Sequence, residues 1–255
     1  MNALEIESLR VRYGGIDVVS DVSLAVPHGR TVALVGESGS GKSTIAAAAV
    51  GLVRPASGDI RADGVSVVGA GKQARAARRR LQLVFQDPFS ALDPRMSIGD
   101  SIAEALRATG RRWSRAERVA RVRELLRRVR LDPDRADERP SVLSGGQRQR
   151  ITIARALAGE PSVLIADEVT SALDVSVQGA ILNLLRELQE ELGLSMLFIS
   201  HNLAVVRYIS DSVCVMRGGR LIESGRTEEL LDRPQDPYTQ DLLDAVPVLG
   251  ERMAF

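Results

Sequence analysis

The sequence predicts an α/β fold: a parallel-sheet core, an antiparallel β region ahead of it, and a helical insertion within it. Three observations carry this. The apolar run Thr31–Val35 leads into Gly36-Glu-Ser-Gly-Ser-Gly-Lys-Ser43 and then the alanine-rich run Thr44–Val50, which reads as strand, glycine loop and helix. The continuous apolar runs Val163–Ala166 and Met196–Ile199 suit strands buried on both faces of a parallel sheet. Between Asp87 and Pro140 the pattern turns to helical spacing.

The glycine loop fits the phosphate-binding pattern G-x-x-x-x-G-K-[ST]. Gly36, Gly39 and Gly41 let the backbone bend so that successive N–H groups face phosphate oxygens, and the following helix adds the positive end of its dipole. Lys42 supplies a point charge for the β- and γ-phosphates, and the Ser43 hydroxyl suits Mg²⁺. Of the 34 basic residues only Lys42 and Lys72 are lysine, so a chain that uses arginine almost everywhere keeps lysine here. Gly36, Ser38, Gly39, Ser40, Gly41, Lys42, Ser43 and Thr44 are the candidate nucleotide-binding residues of this loop.

Whole-chain properties narrow the class. At 255 residues, 44% hydrophobic and 26% charged, the chain has the composition of a soluble globular protein with ample core. A net charge of +1 gives no case for nucleic acid as a partner. The single cysteine, Cys214, excludes an intramolecular disulfide and sits in an apolar run as a buried small hydrophobe. The amino terminus carries acids and alternates polar with apolar residues, unlike a signal peptide. The longest apolar run, Ile45–Val53, is nine residues, too short to span a bilayer, so the expected location is cytoplasmic.

In chain order, residues 4–35 read as short strands, with Val18–Val26 a second β-rich stretch. Tyr13 fits two readings, a flat face for adenine or a strand-end ring packed on the sheet. A helix is expected over 44–52, then a hairpin over 59–68 turning at Asp63-Gly64. Arg78-Arg79-Arg80 reads as a solvated helix face, followed by a strand over Leu81–Phe85 that ends at Gln86. Helices are expected over 98–108 and 115–130, the second with Val119, Val122, Leu126 and Val129 on one face. The ten arginines and two glutamates between Arg107 and Arg130 favour an exposed basic helix, with a face near anionic lipid the weaker reading.

Leu143-Ser-Gly-Gly-Gln147 precedes a helix expected over 148–158. Ser144 is placed to cap it, and two glycines leave its first N–H groups bare, which makes an anion site. Val163–Glu168 is four apolar residues followed by two carboxylates. At the carboxyl end of a parallel strand, Asp167 suits Mg²⁺ and Glu168 suits the orientation or deprotonation of a water. Ser171–Asp174 opens a helix running to Leu192, and His201 follows the next strand, within reach of a γ-phosphate. Strands over 213–216 and 221–224 and two short helices complete the chain.

Taken together, these pieces resemble the nucleotide-binding subunit of an ABC transporter over nearly the whole chain. GESGSGKS is similar to the Walker A loop, Gln86 to the Q-loop, LSGGQ to the family signature and VLIADE to Walker B. SALD is similar to the D-loop, His201 to the switch histidine and Tyr13 to the stacking aromatic of the A-loop. Leu83–Leu106 and Asp236–Pro247 resemble the ATPases of peptide, nickel and opine importers. Val169 departs from the proline usual after the Walker B glutamate, with a minor effect expected. The tail after the Asp-Pro-Tyr-Thr stretch lacks cysteine, which places the chain with the shorter ATPases and removes the expectation of an iron–sulfur site.

The resemblance implies a P-loop NTPase (RecA-like) core over 1–86 and 159–235 with an N-terminal antiparallel β subdomain. It also implies a helical subdomain over 87–158 and a short tail over 236–255, in one domain. ATP and Mg²⁺ are the implied ligands. Glu168, His201 and Gln86 are the implied catalytic residues, and Ser43, Gln86 and Asp167 organise the metal. Ser144, Gly145, Gly146, Gln147 and Asp174 are implied to act across a dimer, on ATP held by a second ATPase subunit that is a different chain. The implied setting is peripheral, on the cytoplasmic face of the membrane, beneath two permeases served by an extracytoplasmic binding protein. The rival readings are a soluble ABC-type ATPase of assembly or repair and an exporter subunit.

Overall fold

The computed structural model describes residues 1–244. The chain opens with β1 (Asn2–Tyr13) and β2 (Ile16–Pro27), an antiparallel hairpin turning at Gly14-Gly15. These are two strands of 12 residues, not several short ones. Their alternation is broken in the sequence because the register shifts between Ile6 and Leu9, where Ser8 takes φ +44° and donates its N–H to Ser23 Oγ at 2.8 Å. β3 (Thr31–Val35) is buried at every position. It feeds the glycine loop into α1 (Lys42–Ala49), which starts two residues before the expected helix and ends three before it.

β4 (Ser57–Ala62) pairs with β1, and β5 (Val65–Ser66) folds back at Asp63-Gly64, as the hairpin reading expected. α2 (Lys72–Arg78) meets the sequence reading only at its end, where Arg78 and the cap residue Arg79 belong to the expected solvated helix face. It packs two small buried residues, Ala74 and Ala77, and so leaves no apolar stripe. β6 (Leu81–Val84) leads into the helical region. α3 (Ile98–Ala105) continues as a 3₁₀ turn over Leu106–Thr109, and α4 (Arg115–Arg128) stops short of Arg130, which takes φ +58°. The expected stripe on α4 is partly corrected. Val122, Leu126 and Val129 are buried, Leu125 joins them, and Val119 is 54% exposed near the start of the helix, ahead of the packed face.

α5 (Gly145–Ala158) begins three residues earlier than expected, because Ser144 and Gln147 close a capping box. β7 (Val163–Asp167), α6 (Val175–Leu192) and β8 (Ser195–Ile199) follow closely as expected. α7 (Leu203–Ile209), a helix absent from the sequence reading, precedes β9 (Ser212–Arg217) and β10 (Arg220–Arg226). α8 (Thr227–Asp232) and α9 (Pro237–Asp244) are the two short helices. Ala245, Val246 and Pro247, the end of the importer-like stretch, lie outside the described residues, as does the rest of the proposed tail.

Two sheets organise these elements. The four-stranded sheet runs β2-β1-β4-β5 and the six-stranded sheet β10-β9-β3-β8-β7-β6. In the larger sheet β9, β3, β8, β7 and β6 are parallel, and β10 is antiparallel at the edge. β3, β7 and β8 carry no exposed residue, as continuous apolar strands between two covering layers should. One core joins the four-stranded sheet, α1 and one face of the larger sheet, through Leu4, Val26, Ile45 and Ile165. A second joins the opposite face to α3–α6 through Ile102, Leu125, Ile153, Ile181 and Phe198. A third packs α7, α8 and α9 on β3 and β9. Among the described residues no helix is long and apolar enough to cross a membrane. The carboxyl ends of β3, β6, β7 and β8 therefore converge beside the glycine loop, where open parallel sheets bind ligands.

Candidate functional site

The glycine loop leaves β3 at Gly36, which takes φ +148°. A Cβ there would lie 2.0 Å from the Met216 carbonyl oxygen, so β9 presses the loop into a course that only glycine follows. Lys42 opens α1 and is 4% exposed. Its Nζ donates to the carbonyls of Gly36 (2.8 Å) and Glu37 (2.7 Å) and to Ser40 Oγ (3.3 Å). Burial lowers the Lys42 ammonium below its usual range, and the charges of Glu168, Asp167 and Glu37 pull it back up. Ser38, Gly39 and Ser43 are exposed along the loop, Ser40 and Gly41 are buried, and Thr44 is half-buried.

Asp167 ends β7 and is 8% exposed. Burial raises its carboxyl above the usual range. The Ser43 hydroxyl opposes that shift, the Glu168 charge adds to it, and Lys42 opposes it. One of its oxygens, Oδ1, is buried without a hydrogen-bond partner. An orphaned carboxylate oxygen beside a serine hydroxyl is a hard oxygen donor set that fits Mg²⁺.

Glu168 follows with φ +47°, a left-handed conformation uncommon outside glycine, and its N–H donates to the Ile199 carbonyl at 3.0 Å. That turn re-aims its carboxylate between two other elements. Gln86 Nε2 donates to Oε2 at 3.0 Å, and His201 Nδ1 lies 3.2 Å from Oε1. Gln86, Glu168 and His201 are 82 and 33 positions apart in sequence and meet here. Ser171, not singled out in the sequence, completes the group. Its Oγ accepts from Gln86 Nε2 at 3.2 Å and donates to the Glu168 carbonyl at 2.9 Å. Its signal was its place as first residue of the SALD stretch. A cleft of about 690 Å³ opens here, lined by Ser43, Gln86 and Asp167 and running to Thr152 and Arg155 of α5.

The remaining candidates sit apart from this cluster. Tyr13 is at the end of β1 and 48% exposed. Ser144 caps α5: its Oγ accepts from Gln147 N at 3.3 Å, and Gln147 Oε1 accepts from Ser144 N at 3.1 Å. Gly145 and Gly146 form the first turn. A Cβ on Gly146 would lie 2.5 Å from Val177 Cγ1, so any side chain there would have to displace the Val177 methyl of α6. Asp174 caps α6 through its backbone, and its side chain makes no cap bond. Gln178, also unmarked in the sequence, pins that loop by donating to the carbonyls of Thr170 and Leu173, both at 2.9 Å. Among the described residues no hydrogen bond joins Ser144–Gln147 or Asp174 to the glycine loop of the same chain.

A parallel sheet with a glycine loop at its carboxyl edge, a buried lysine in that loop and a carboxylate pair at the end of β7, with β8 between it and β3, define a nucleoside-triphosphate-binding P-loop fold. Residues 19–171 match the ABC transporter family, and the chain belongs to that family. It is an ATP-binding protein and an ATPase of that family. Its similarity to the oligopeptide transport ATP-binding protein OppF of Bacillus subtilis is 44% identity, covering 96% of this chain and 82% of that one. A solved structure of cbiO1 from Clostridium perfringens, part of the ABC transporter complex cbiONQ, is 31% identical. The two superpose with a TM-score of 0.82, over 91% of each chain. The ATP-binding cassette MJ0796, solved as a dimer in a post-hydrolysis state with ADP and Pi, is 28% identical. It superposes with a TM-score of 0.77, over 88% of this chain and 98% of that one.

Proposed function

We propose that this chain is the ATP-hydrolysing subunit of an ABC importer for peptides or related small solutes, such as nickel chelates and opines. The observation that carries the chemistry is the Glu168 carboxylate held between Gln86 and His201 beside the glycine loop. The likeness to OppF over nearly the full chain carries the substrate class.

In this reading Lys42 and the amides of Gly36–Thr44 hold the phosphates, and Tyr13 offers its exposed ring to adenine. Ser43, Asp167 and Gln86 would hold Mg²⁺, which when bound neutralises charge on the phosphate oxygens. Glu168 accepts a proton from the attacking water. The new bond forms from that water's oxygen to the γ-phosphorus, and the bond from phosphorus to the β–γ bridging oxygen breaks. His201 sits on the far side of the same carboxylate and steadies the γ-phosphoryl oxygens.

Among the described residues no hydrogen bond joins the capped start of α5 to the loop of its own chain, which supports a site completed in trans. Two ATPase subunits, the second a different chain, dock head to tail so that Ser144–Gln147 of each meets the phosphates held by the other, with Asp174 at the seam. The relative solved as a dimer with ADP and Pi supports the pairing of two such subunits. Residues 87–158 form the helical unit that moves about Gln86 and, from the cytoplasmic face of the membrane, passes closure to two transmembrane permeases. An extracytoplasmic binding protein delivers the solute. Co-purification from native membranes tests this. Recovery of two permeases and a second ATPase, with ATP turnover stimulated by a peptide-loaded binding protein, is the expected result. Recovery of soluble proteins alone would replace it with a non-transport ATPase, and turnover indifferent to any binding protein would favour an exporter.

A further inference from the structure

The Asp236-Pro-Tyr-Thr239 stretch has no part in the chemistry above, yet it reaches the glycine loop. Tyr238, in the first turn of α9, is 3% exposed, and its hydroxyl accepts a hydrogen bond from the backbone N–H of Glu37 at 3.0 Å. That N–H belongs to the Gly36–Glu37 peptide. The carbonyl of the same peptide, on Gly36, accepts from Lys42 Nζ at 2.8 Å. One peptide unit at the mouth of the loop is therefore held at both edges, by Lys42 on one side and by Tyr238 on the other.

The tyrosine is itself fixed from three directions. The Arg217 guanidinium lies 4.6 Å from the ring centroid. The Tyr238 N–H donates to Asp236 Oδ1 at 2.8 Å, and the N–H groups of Gln235 and Asp236 donate to the Glu223 carboxylate of β10 at 2.8 and 3.3 Å. The ring packs in the core formed with Ala33 and Val35 of β3 and Val213 and Val215 of β9. A phenol locked this way costs little to keep in place.

We infer that Tyr238 is a positioning residue for ATP binding, its hydroxyl setting the orientation of the Gly36–Glu37 peptide. To reach a phosphate, Lys42 must give up carbonyl partners in the loop. The Tyr238 bond is independent of Lys42, so it holds the peptide while the ammonium turns to the nucleotide. The loop then pays less ordering cost on binding. This rests on the reading of Gly36–Ser43 as the cradle for ATP phosphates.

Tyr238→Phe removes the hydroxyl and keeps the ring beneath Arg217. In the full-length chain, three quantities decide: amide exchange at Glu37, the Kd for a non-hydrolysable ATP analogue, and the thermal midpoint. The expected result is faster exchange at Glu37 and a Kd raised about 2- to 10-fold, the range one neutral hydrogen bond supplies. Parent-like exchange and Kd would overturn the inference. So would a lowered midpoint with unchanged Kd, since a purely structural tyrosine behaves that way. Lys42→Ala is the separate control for the cradle. If it binds the analogue as the parent does, the cradle reading fails, while exchange at Glu37 still reports on the tyrosine.

Discussion

His201 Nδ1 lies 3.2 Å from one oxygen of the Glu168 carboxylate, whose other oxygen accepts from Gln86. The carboxylate is thus fixed from two elements at once, with its direction set by the left-handed turn at Glu168 itself. Glu168→Gln keeps both neighbours within reach and removes the acceptor for a proton. We expect ATP binding at the parent level and turnover lowered by about 10²-fold or more, the scale of a lost general base. Single-turnover hydrolysis measured on the variant decides it, and hydrolysis at the parent rate would take Glu168 out of that role.

Asp167 should cost stability in the absence of metal. Its buried carboxyl has a raised pKa, so the folded chain binds its proton more tightly than the unfolded chain. For an acid shifted upward, the penalty is absent below the unfolded value near 3.8 and grows as pH rises through the folded value. Asp167→Asn is therefore expected to stabilise the metal-free fold at neutral pH, by about 1 kcal/mol, while hydrolysis is lost. The gain should shrink as pH falls through the carboxylate range. Thermal midpoints of both proteins across pH 4 to 8, without divalent ions, give the comparison. A variant less stable at neutral pH would mean that Asp167 is satisfied in the fold.

Ser144 has one role within the chain and a proposed one across the dimer. Within the chain it closes the capping box of α5 with Gln147. Ser144→Ala is expected to lower stability by about 0.5 to 2 kcal/mol and to weaken ATP-induced dimerisation. Ser144→Asp keeps a capping oxygen but sets a negative charge against the partner's phosphate. It should restore stability and not dimerisation. Light scattering with ATP, in a Glu168→Gln background that arrests hydrolysis, separates the two. Dimerisation restored by Asp would mean that only the cap matters.

Much of this was legible in the sequence, for physical reasons that differ by element. β3, β7 and β8 are buried on both faces, so their composition alone announces them. The glycine loop was legible because phosphate chemistry restricts both residue type and spacing. The body of α2 and all of α7 were not, since α2 buries only Ala74 and Ala77 and α7, LAVVRYI, is apolar nearly throughout, so neither shows a stripe. Val119 shows the limit of periodicity, which marks a face but not where the packed part of that face begins. Ser171 and Gln178 act on backbone carbonyls and on Gln86, through contacts that leave no periodic trace. The bond from Glu37 to Tyr238 crosses 201 positions, which no local pattern encodes.

Cys214 offers a test of the fold that is independent of ATP chemistry. It lies on β9, in register with Leu34 of β3 and Ser224 of β10, and it is 8% exposed. Burial pushes its thiol up to about 11, so at pH 8 about one molecule in a thousand carries the thiolate that reacts. A thiol reagent should therefore label the folded chain slowly and the denatured chain stoichiometrically. In partial denaturant the labelling rate follows the open population. Any ligand that binds only the folded form lowers that population, by RT ln(1 + [L]/Kd) in free energy. ATP at about 100 times its Kd should slow labelling about 100-fold where opening and closing outpace the reagent. Rapid stoichiometric labelling in native buffer would place the thiol at the surface and contradict the packing of β9. Slow native labelling that ATP leaves unchanged in denaturant would mean that the nucleotide does not stabilise the unit containing β3 and β9.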